Sequence, residues 1–267
     1  MHTSAALPRP GASTRAANAV AIASGKGGVG KTWLSITLAH ALARHGRRVL
    51  LFDGDLGLAN VDIQLGLMPE HDLSSVLARR ASMAEATTHF AEGGFHLLVG
   101  RSGSGCLAAL TPQRLAAFGC DMAALAARYD TLLLDLGAGV DGPVRTFSRI
   151  AGQCLVVVTG EPTSLTDAYA FIKLSLAEGG VDGITIVVNM AASIADGEHT
   201  YATLRKACET FLALSPPLAG IIRRDPKVRQ AIRAQVPLLT RYPNTIAAGD
   251  VERIARRLTA PAALPTP

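Results

Sequence analysis

The sequence predicts an α/β fold: a mostly parallel, twisted sheet with helices on both faces. Three observations predict it. Short apolar runs recur along the 267 residues, they alternate with longer segments of helical periodicity, and the first run leads directly into the glycine-rich stretch Gly25-Lys26-Gly27-Gly28-Val29-Gly30-Lys31-Thr32. Alternation of strand and helix marks a sheet built from parallel strands joined by crossover helices, and continuously apolar strands are those covered on both faces. A chain of this length that is 49% hydrophobic can bury one sizeable core, so a single domain is expected over residues 19–258. Flexible tails rich in Ala, Pro, Ser and Thr are expected at 1–18 and 259–267.

The first strand is Ala19–Ser24, and the helix that follows the glycine stretch takes its apolar face from Leu34, Ile36, Leu38 and Leu42. Between them, Gly25 to Thr32 fits G-x-x-x-x-G-K-[ST], the phosphate-binding loop of nucleoside triphosphatases. Gly25, Gly27, Gly28, Val29 and Gly30 let successive backbone N–H groups curl around phosphate oxygens, Lys31 reaches the β and γ phosphates, and the Thr32 hydroxyl holds Mg²⁺. Trp33 adds a backbone N–H at the first helical turn. Strand before and helix after predict a single-domain P-loop NTPase fold that binds a nucleoside triphosphate with Mg²⁺.

The second strand, Arg48–Asp53, opens into Asp53-Gly54-Asp55-Leu56-Gly57-Leu58-Ala59-Asn60. Two carboxylates at one strand end suit metal and water chemistry, although a strand-end Asp can also cap the next helix. A third strand is read over Phe95–Val99 and a helix over Pro112–Arg128. The fourth strand, Thr131–Leu136, carries Asp135 at the close of an apolar run and is followed by Gly137 and Gly139, a Walker B pattern. Asp135 is placed to accept from a Mg²⁺-bound water or from Thr32, and the glycines let the backbone approach the γ-phosphate. Beyond it lie the strand Cys154–Thr159, a helix over Ser164–Glu178 started by Thr163 or Ser164 and stopped by Gly179-Gly180, and the strand Gly183–Asn189. Asn189 both donates and accepts, which matches the edge of adenine. The helix Glu198–Leu212, the strand Leu218–Ile222 and the helix Thr245–Leu258 complete the order. In such sheets ligands lie beyond the carboxyl ends of the strands, where Gly25, Asp53, Asp135 and Asn189 fall.

No apolar run approaches the roughly 18 residues of a membrane span, and Met1–Asn18 lacks the apolar core of a signal peptide, so a cytoplasmic protein is expected. Cys106, Cys120, Cys154 and Cys208 form no C-x-x-C pair and read as buried free thiols. The net charge of +5 is uneven: residues 201–267 hold 11 Lys/Arg against 4 Asp/Glu. That basic quarter could face nucleic acid, an anionic membrane or an acidic protein, or be an ordinary solvated surface, since Arg253, Arg256 and Arg257 read as the polar face of the last helix.

With Lys26 directly after the first glycine, the chain resembles the deviant-Walker family of MinD, ParA and nitrogenase-iron-protein-like ATPases. The resemblance covers Ala19 to Leu258. It implies that the nucleotide is ATP, that Lys26 reaches across an ATP-dependent homodimer to the partner's nucleotide, that Asp55 orients the attacking water as the second acid of switch I, and that Asp53 supports the lysine and Mg²⁺ network. It further implies adenine contacts from Asn189 and from the Asp225-Pro226 segment. The stretches DGDLGLANVDIQLGL (Asp53–Leu67), LLDLGAGV and EPTSLTDAYAFIK (Glu161–Lys173) look specifically like the FlhG/FleN branch, which controls flagellar number and placement. Partners implied by that branch are an FlhF-type GTPase, a flagellar transcriptional activator or a switch-complex component. A ParA-like partition ATPase that holds DNA, and a metabolic P-loop synthetase, are the rival readings. Three departures bear on these expectations. Met1–Asn18 has no D-Q-A-x-x-L-R helix to stimulate a GTPase, prolines at 261, 265 and 267 break any membrane-targeting helix, and Trp33 stands where a smaller polar residue is usual.

Overall fold

The computed structural model describes residues 16–55, 60–100, 111–140, 142–177 and 183–259. Among these residues eight strands form one sheet. The first strand, β1 (Ala16–Ser24), lies between β5 (Thr131–Ala138) and β6 (Ala151–Val158). On one side β5 pairs with β2 (Val49–Gly54), and β2 with β4 (Phe95–Leu98); on the other β6 pairs with β7 (Ile184–Ala191), and β7 with β8 (Leu218–Arg223). All of these pairs are parallel. The edge strand β3 (Thr87–Phe90) alone runs antiparallel, against β4, to which it is joined by a short turn. It was not expected from the sequence, because four residues of the pattern Thr-Thr-His-Phe carry no apolar run.

Side chains alternate between the two faces, as the period of a strand requires. Ala19, Ala21, Ala23, Leu132 and Leu134 pack on one side under α4 (Pro112–Ala126), α5 (Gly142–Ile150), α6 (Pro162–Ala177) and α7 (Ile194–Leu212). Val20, Ile22, Leu51 and Leu133 pack on the other under α1 (Lys31–Arg44), α8 (Pro226–Arg233), α9 (Leu238–Arg241) and α10 (Ile246–Thr259). The short helices α2 (Val61–Leu65) and α3 (Leu73–Leu77) follow β2.

The expected strands and long helices are present, with several boundaries moved. β1 begins at Ala16, three residues ahead of the boundary read from the sequence, and the Asn18 amide donates to the Ala126 and Tyr129 carbonyls at 2.9 Å each, docking the strand on the end of α4. α7 begins at Ile194 rather than Glu198, because the Ser193 hydroxyl caps it by accepting from the Asp196 N–H. α2, α3, α5 and α9 were not expected, since they are too short to show a helical period. α8 had a legible start, with Asp225 as N-cap and Pro226 at the first position.

One expectation about side chains needs correction. Cys154 and Cys208 are buried free thiols, but Cys120 is exposed, because it falls on the solvent face of α4. The basic C-terminal quarter faces solvent, with Arg253, Arg256 and Arg257 exposed along α10 as the polar-face reading expected, although Arg223 and Arg253 also pair with Asp250 and Arg257 donates to the Ala219 carbonyl. Cys106, the Leu56–Ala59 part of the two-acid segment, the Gly179-Gly180 stop and both expected tails beyond 16–259 lie outside the described residues. No helix of the described residues is long and apolar enough to cross a membrane.

Candidate functional site

β1 ends at Ser24 in the middle of the sheet, and α1 starts only seven residues later, so the chain must turn sharply in the open space beyond the strand ends. Gly28 (φ 78°) and Gly30 (φ 87°) take the left-handed backbone that makes this turn, a conformation side chains with a Cβ rarely adopt. Close approach fixes two glycines as well. A Cβ on Gly25 would stand 2.1 Å from the Asp167 carbonyl oxygen of α6, and one on Gly30 would stand 2.5 Å from Asn189 Nδ2.

No side chain caps α1. Its first intrahelical bond runs from the Leu34 N–H to the Gly30 carbonyl at 3.0 Å, so the N–H groups of Lys31, Thr32 and Trp33 open onto the loop, where they and the helix dipole favour an anion. Lys31 is buried. Its Nζ donates to Ser24 Oγ at 2.9 Å, and burial holds its pKa below the usual lysine value, while Asp135 and Asp55 pull the other way. A cation kept dry beside two acids is poised for a phosphate.

The carboxylates converge on the same spot because β2 and β5 are neighbours in register, Asp53 opposite Asp135. Asp53 accepts from the N–H groups of Asp55 (3.2 Å), Asn60 (3.0 Å) and Val61 (3.1 Å), which fixes the start of α2. Asp135 accepts from Ser35 Oγ at 2.9 Å and from the Thr32 hydroxyl, and its Oδ2 has no partner among the described residues. Both carboxyl pKa values are raised. For Asp53 the causes are burial and then the charge of Asp135; for Asp135 they are burial and then Asp55, opposed by Thr32, Ser35 and Lys31. Buried paired acids with an open oxygen beside a Thr hydroxyl fit a divalent cation, whose charge would relieve both. The Asp55 carboxylate faces Gly137, where an added Cβ would lie 3.5 Å from Oδ1.

Lys26 points away from this cradle. Its Nζ donates to Glu161 Oε2 and to Thr163 Oγ1, both at 2.6 Å, at the start of α6. The pairing lowers the Glu161 pKa. Asn189, at the end of β7, is buried and braces the loop, with Nδ2 donating to the Val29 carbonyl at 2.8 Å and Oδ1 accepting from the Met190 N–H at 2.9 Å. One N–H and one lone pair of the amide remain for a base. Asp225 is committed to backbone: it accepts from the Lys227 N–H at 2.8 Å and from the Ala247 N–H at 3.4 Å, and Pro226 follows it into α8. Trp33 buries its indole where α1 packs on α2 and α8.

Ser24, Ser35, Glu161 and Thr163 were missed as members of the site. Ser35 had a signal, lying three residues after Thr32 on the same helical face. Glu161 and Thr163 stood out only within the EPTSLTDAYAFIK stretch, and nothing tied them to the loop before the fold placed α6 beside it.

The geometry agrees with comparisons to known proteins. Residues 20–238 match the CobQ/CobB/MinD/ParA nucleotide binding domain. The chain is 37% identical over 239 residues to the antiactivator FleN of Pseudomonas aeruginosa, covering 90% of this chain and 85% of that protein. It is 30% identical over 237 residues to the flagellum site-determining protein YlxH of Helicobacter pylori, covering 88% and 80%. The structure of the cell division ATPase MinD of Pyrococcus furiosus superposes with a TM-score of 0.76 at 26% identity, covering 90% of this chain and 98% of that one. This chain belongs to the CobQ/CobB/MinD/ParA family of nucleotide-binding domains and is a P-loop ATPase of the MinD/ParA type.

Proposed function

We propose that this protein is an ATP-driven regulatory switch that forms a face-to-face homodimer when it holds Mg·ATP and controls flagellar number or placement. One observation carries the switch reading: the loop supplies two lysines, and only Lys31 lies in its own cradle, while Lys26 sits at the rim on Glu161 and Thr163. A cation at the rim, held by a surface carboxylate, is available to a second nucleotide brought face to face. The flagellar role rests on likeness to the antiactivator FleN and to YlxH.

In this reading the loop N–H groups and Lys31 neutralise phosphate charge, and Asp55 orients the attacking water and takes up its proton. Thr32, Asp53 and Asp135 would hold Mg²⁺, which when bound would neutralise phosphate charge. Asn189 contributes its remaining N–H and lone pair to adenine, and Asp225-Pro226 closes the other side of the base. The protein is cytoplasmic and drawn to a cell pole by partners, among them an FlhF-type GTPase, a transcriptional activator or a switch-complex component. DNA partition is less well supported, because the likeness to FleN and YlxH points to flagella, and Arg223 and Arg253 are paired with Asp250 while Lys227 and Arg241 lie over the Tyr242 ring.

Light scattering during size exclusion tests the switch. The wild type should pass from monomer to dimer with Mg·ATP but not with Mg·ADP, and Lys26→Ala should bind nucleotide yet stay monomeric. A Lys26→Ala protein that dimerises fully with ATP would exclude a cross-subunit lysine.

A further inference from the structure

Trp33 is where the phosphate loop meets the helices on its side of the sheet. Its backbone N–H precedes the first intrahelical bond and belongs to the cradle. Its indole, 7% exposed, borders a gap of about 10 Å³ that is also lined by Gln64 and Leu65 of α2, Ala231 and Ile232 of α8, and Pro237. α2 is fastened at its start to Asp53, through the Asn60 and Val61 N–H groups. It is fastened sideways to the end of α8, where Gln235 Nε2 donates to the Ile63 carbonyl at 2.7 Å. One residue therefore has its backbone at the phosphates and its ring against the helix that hangs from the carboxylate end of the site.

The ring is not an ordinary apolar wedge. Among the described residues Trp33 Nε1 is buried without a hydrogen-bond partner, and an unmet donor destabilises a fold that a phenylalanine would fill at no such cost. The gap is at the lower limit for a water molecule, and its lining is mostly apolar. Gln64, half-buried on the facing helix, brings the side-chain carbonyl that the indole lacks.

We propose that Trp33 is a positioning residue: in the triphosphate-bound state its Nε1–H donates to the Gln64 side-chain carbonyl and locks α2, with the Asp53 end of the site, to the phosphate-binding turn. The inference rests on the ATP-switch reading, and its test separates the two. Trp33 is the sole tryptophan, so its emission reads the indole directly. Emission is recorded for the wild type and Gln64→Leu with Mg·ADP and with a nonhydrolysable Mg·ATP analogue, nucleotide binding being measured separately by calorimetry. The expected result is a red shift in the wild type with the analogue only, absent in Gln64→Leu, whose Mg·ADP affinity stays within about twofold. Gln64→Leu and Trp33→Phe should each lower kcat about fivefold, the size of one neutral hydrogen bond, with little further loss in the double variant. A shift that survives in Gln64→Leu, bound analogue without any shift in the wild type, or fully additive losses would overturn the proposal. Failure of the analogue to bind at all would instead overturn the ATP-switch reading, and this inference with it.

Discussion

Asp55 lies at the mouth of the site, and the proposed mechanism gives it the attacking water. It stands two residues beyond Asp53, donates its backbone N–H to that carboxylate, and faces Gly137 across the mouth of the site. Its charge reaches Lys31, raising the lysine pKa against the effect of burial. Asp55→Ala removes none of the loop N–H groups and leaves Thr32, Lys31 and Asp135 in place. Nucleotide affinity should therefore be kept while kcat falls by about 10²-fold or more, the usual loss when a positioned acid–base group goes. Phosphate release at saturating Mg·ATP, with a parallel nucleotide-binding titration, checks this. Hydrolysis at the wild-type rate would assign water alignment to another group.

Between elements, the join of β8 to α10 depends on Asp250, whose carboxylate is fully buried. It accepts from the Arg223 backbone N–H at 2.9 Å, from Arg223 Nε at 3.0 Å and Nη2 at 2.8 Å, and from Arg253. The bidentate fork fixes the last helix over the sheet, and with it the packing of α10 on α1, whose first turn belongs to the phosphate site. Asp250→Ala strands a guanidinium that is 31% exposed and so only partly rescued by water. The cost should be about 3 kcal/mol, near the lower end for breaking a buried pair, and the melting temperature should fall by about 6–12 °C. Thermal unfolding followed by circular dichroism reads it, and an unchanged midpoint would show that the fork contributes nothing net.

For the molecule as a whole, His40 sets a pH limit. It lies on the buried face of α1, 6% exposed and with Nδ1 lacking a partner among the described residues. Burial, and then the charge of Arg44, lower its pKa from 6.5 to about 4. The unfolded chain therefore binds a proton below pH 6.5 that the folded chain refuses until about pH 4. The stability His40 confers is complete above 6.5 and is lost as the pH falls toward 4, by about 2 kcal/mol between pH 7 and 4.5. Urea unfolding at both pH values should show that loss in the wild type, and His40→Leu should lack that share of it. Equal pH dependence in the two proteins would mean that the folded imidazole takes up its proton as readily as the unfolded one.

Much of this protein was legible without its fold. The phosphate loop was legible because cradling phosphate needs contiguous backbone, so Gly25 to Thr32 carry it as one run. Asp53 and Asp135 were legible because each closes an apolar strand, and the sheet was legible because doubly covered strands must be continuously apolar. What only the tertiary structure decided lies between residues far apart in the chain. Lys26 meets Glu161 and Thr163 at the start of α6, Ser35 holds Asp135, and Asn189 braces the Val29 carbonyl. The Trp33 indole finds its slot against α2 and α8, and Arg223 and Arg253 of the basic C-terminal quarter find Asp250. The reason is physical. Backbone chemistry and the period of burial are local, and a local sequence records them, whereas the partner of a side chain depends on which elements the strand order brings together.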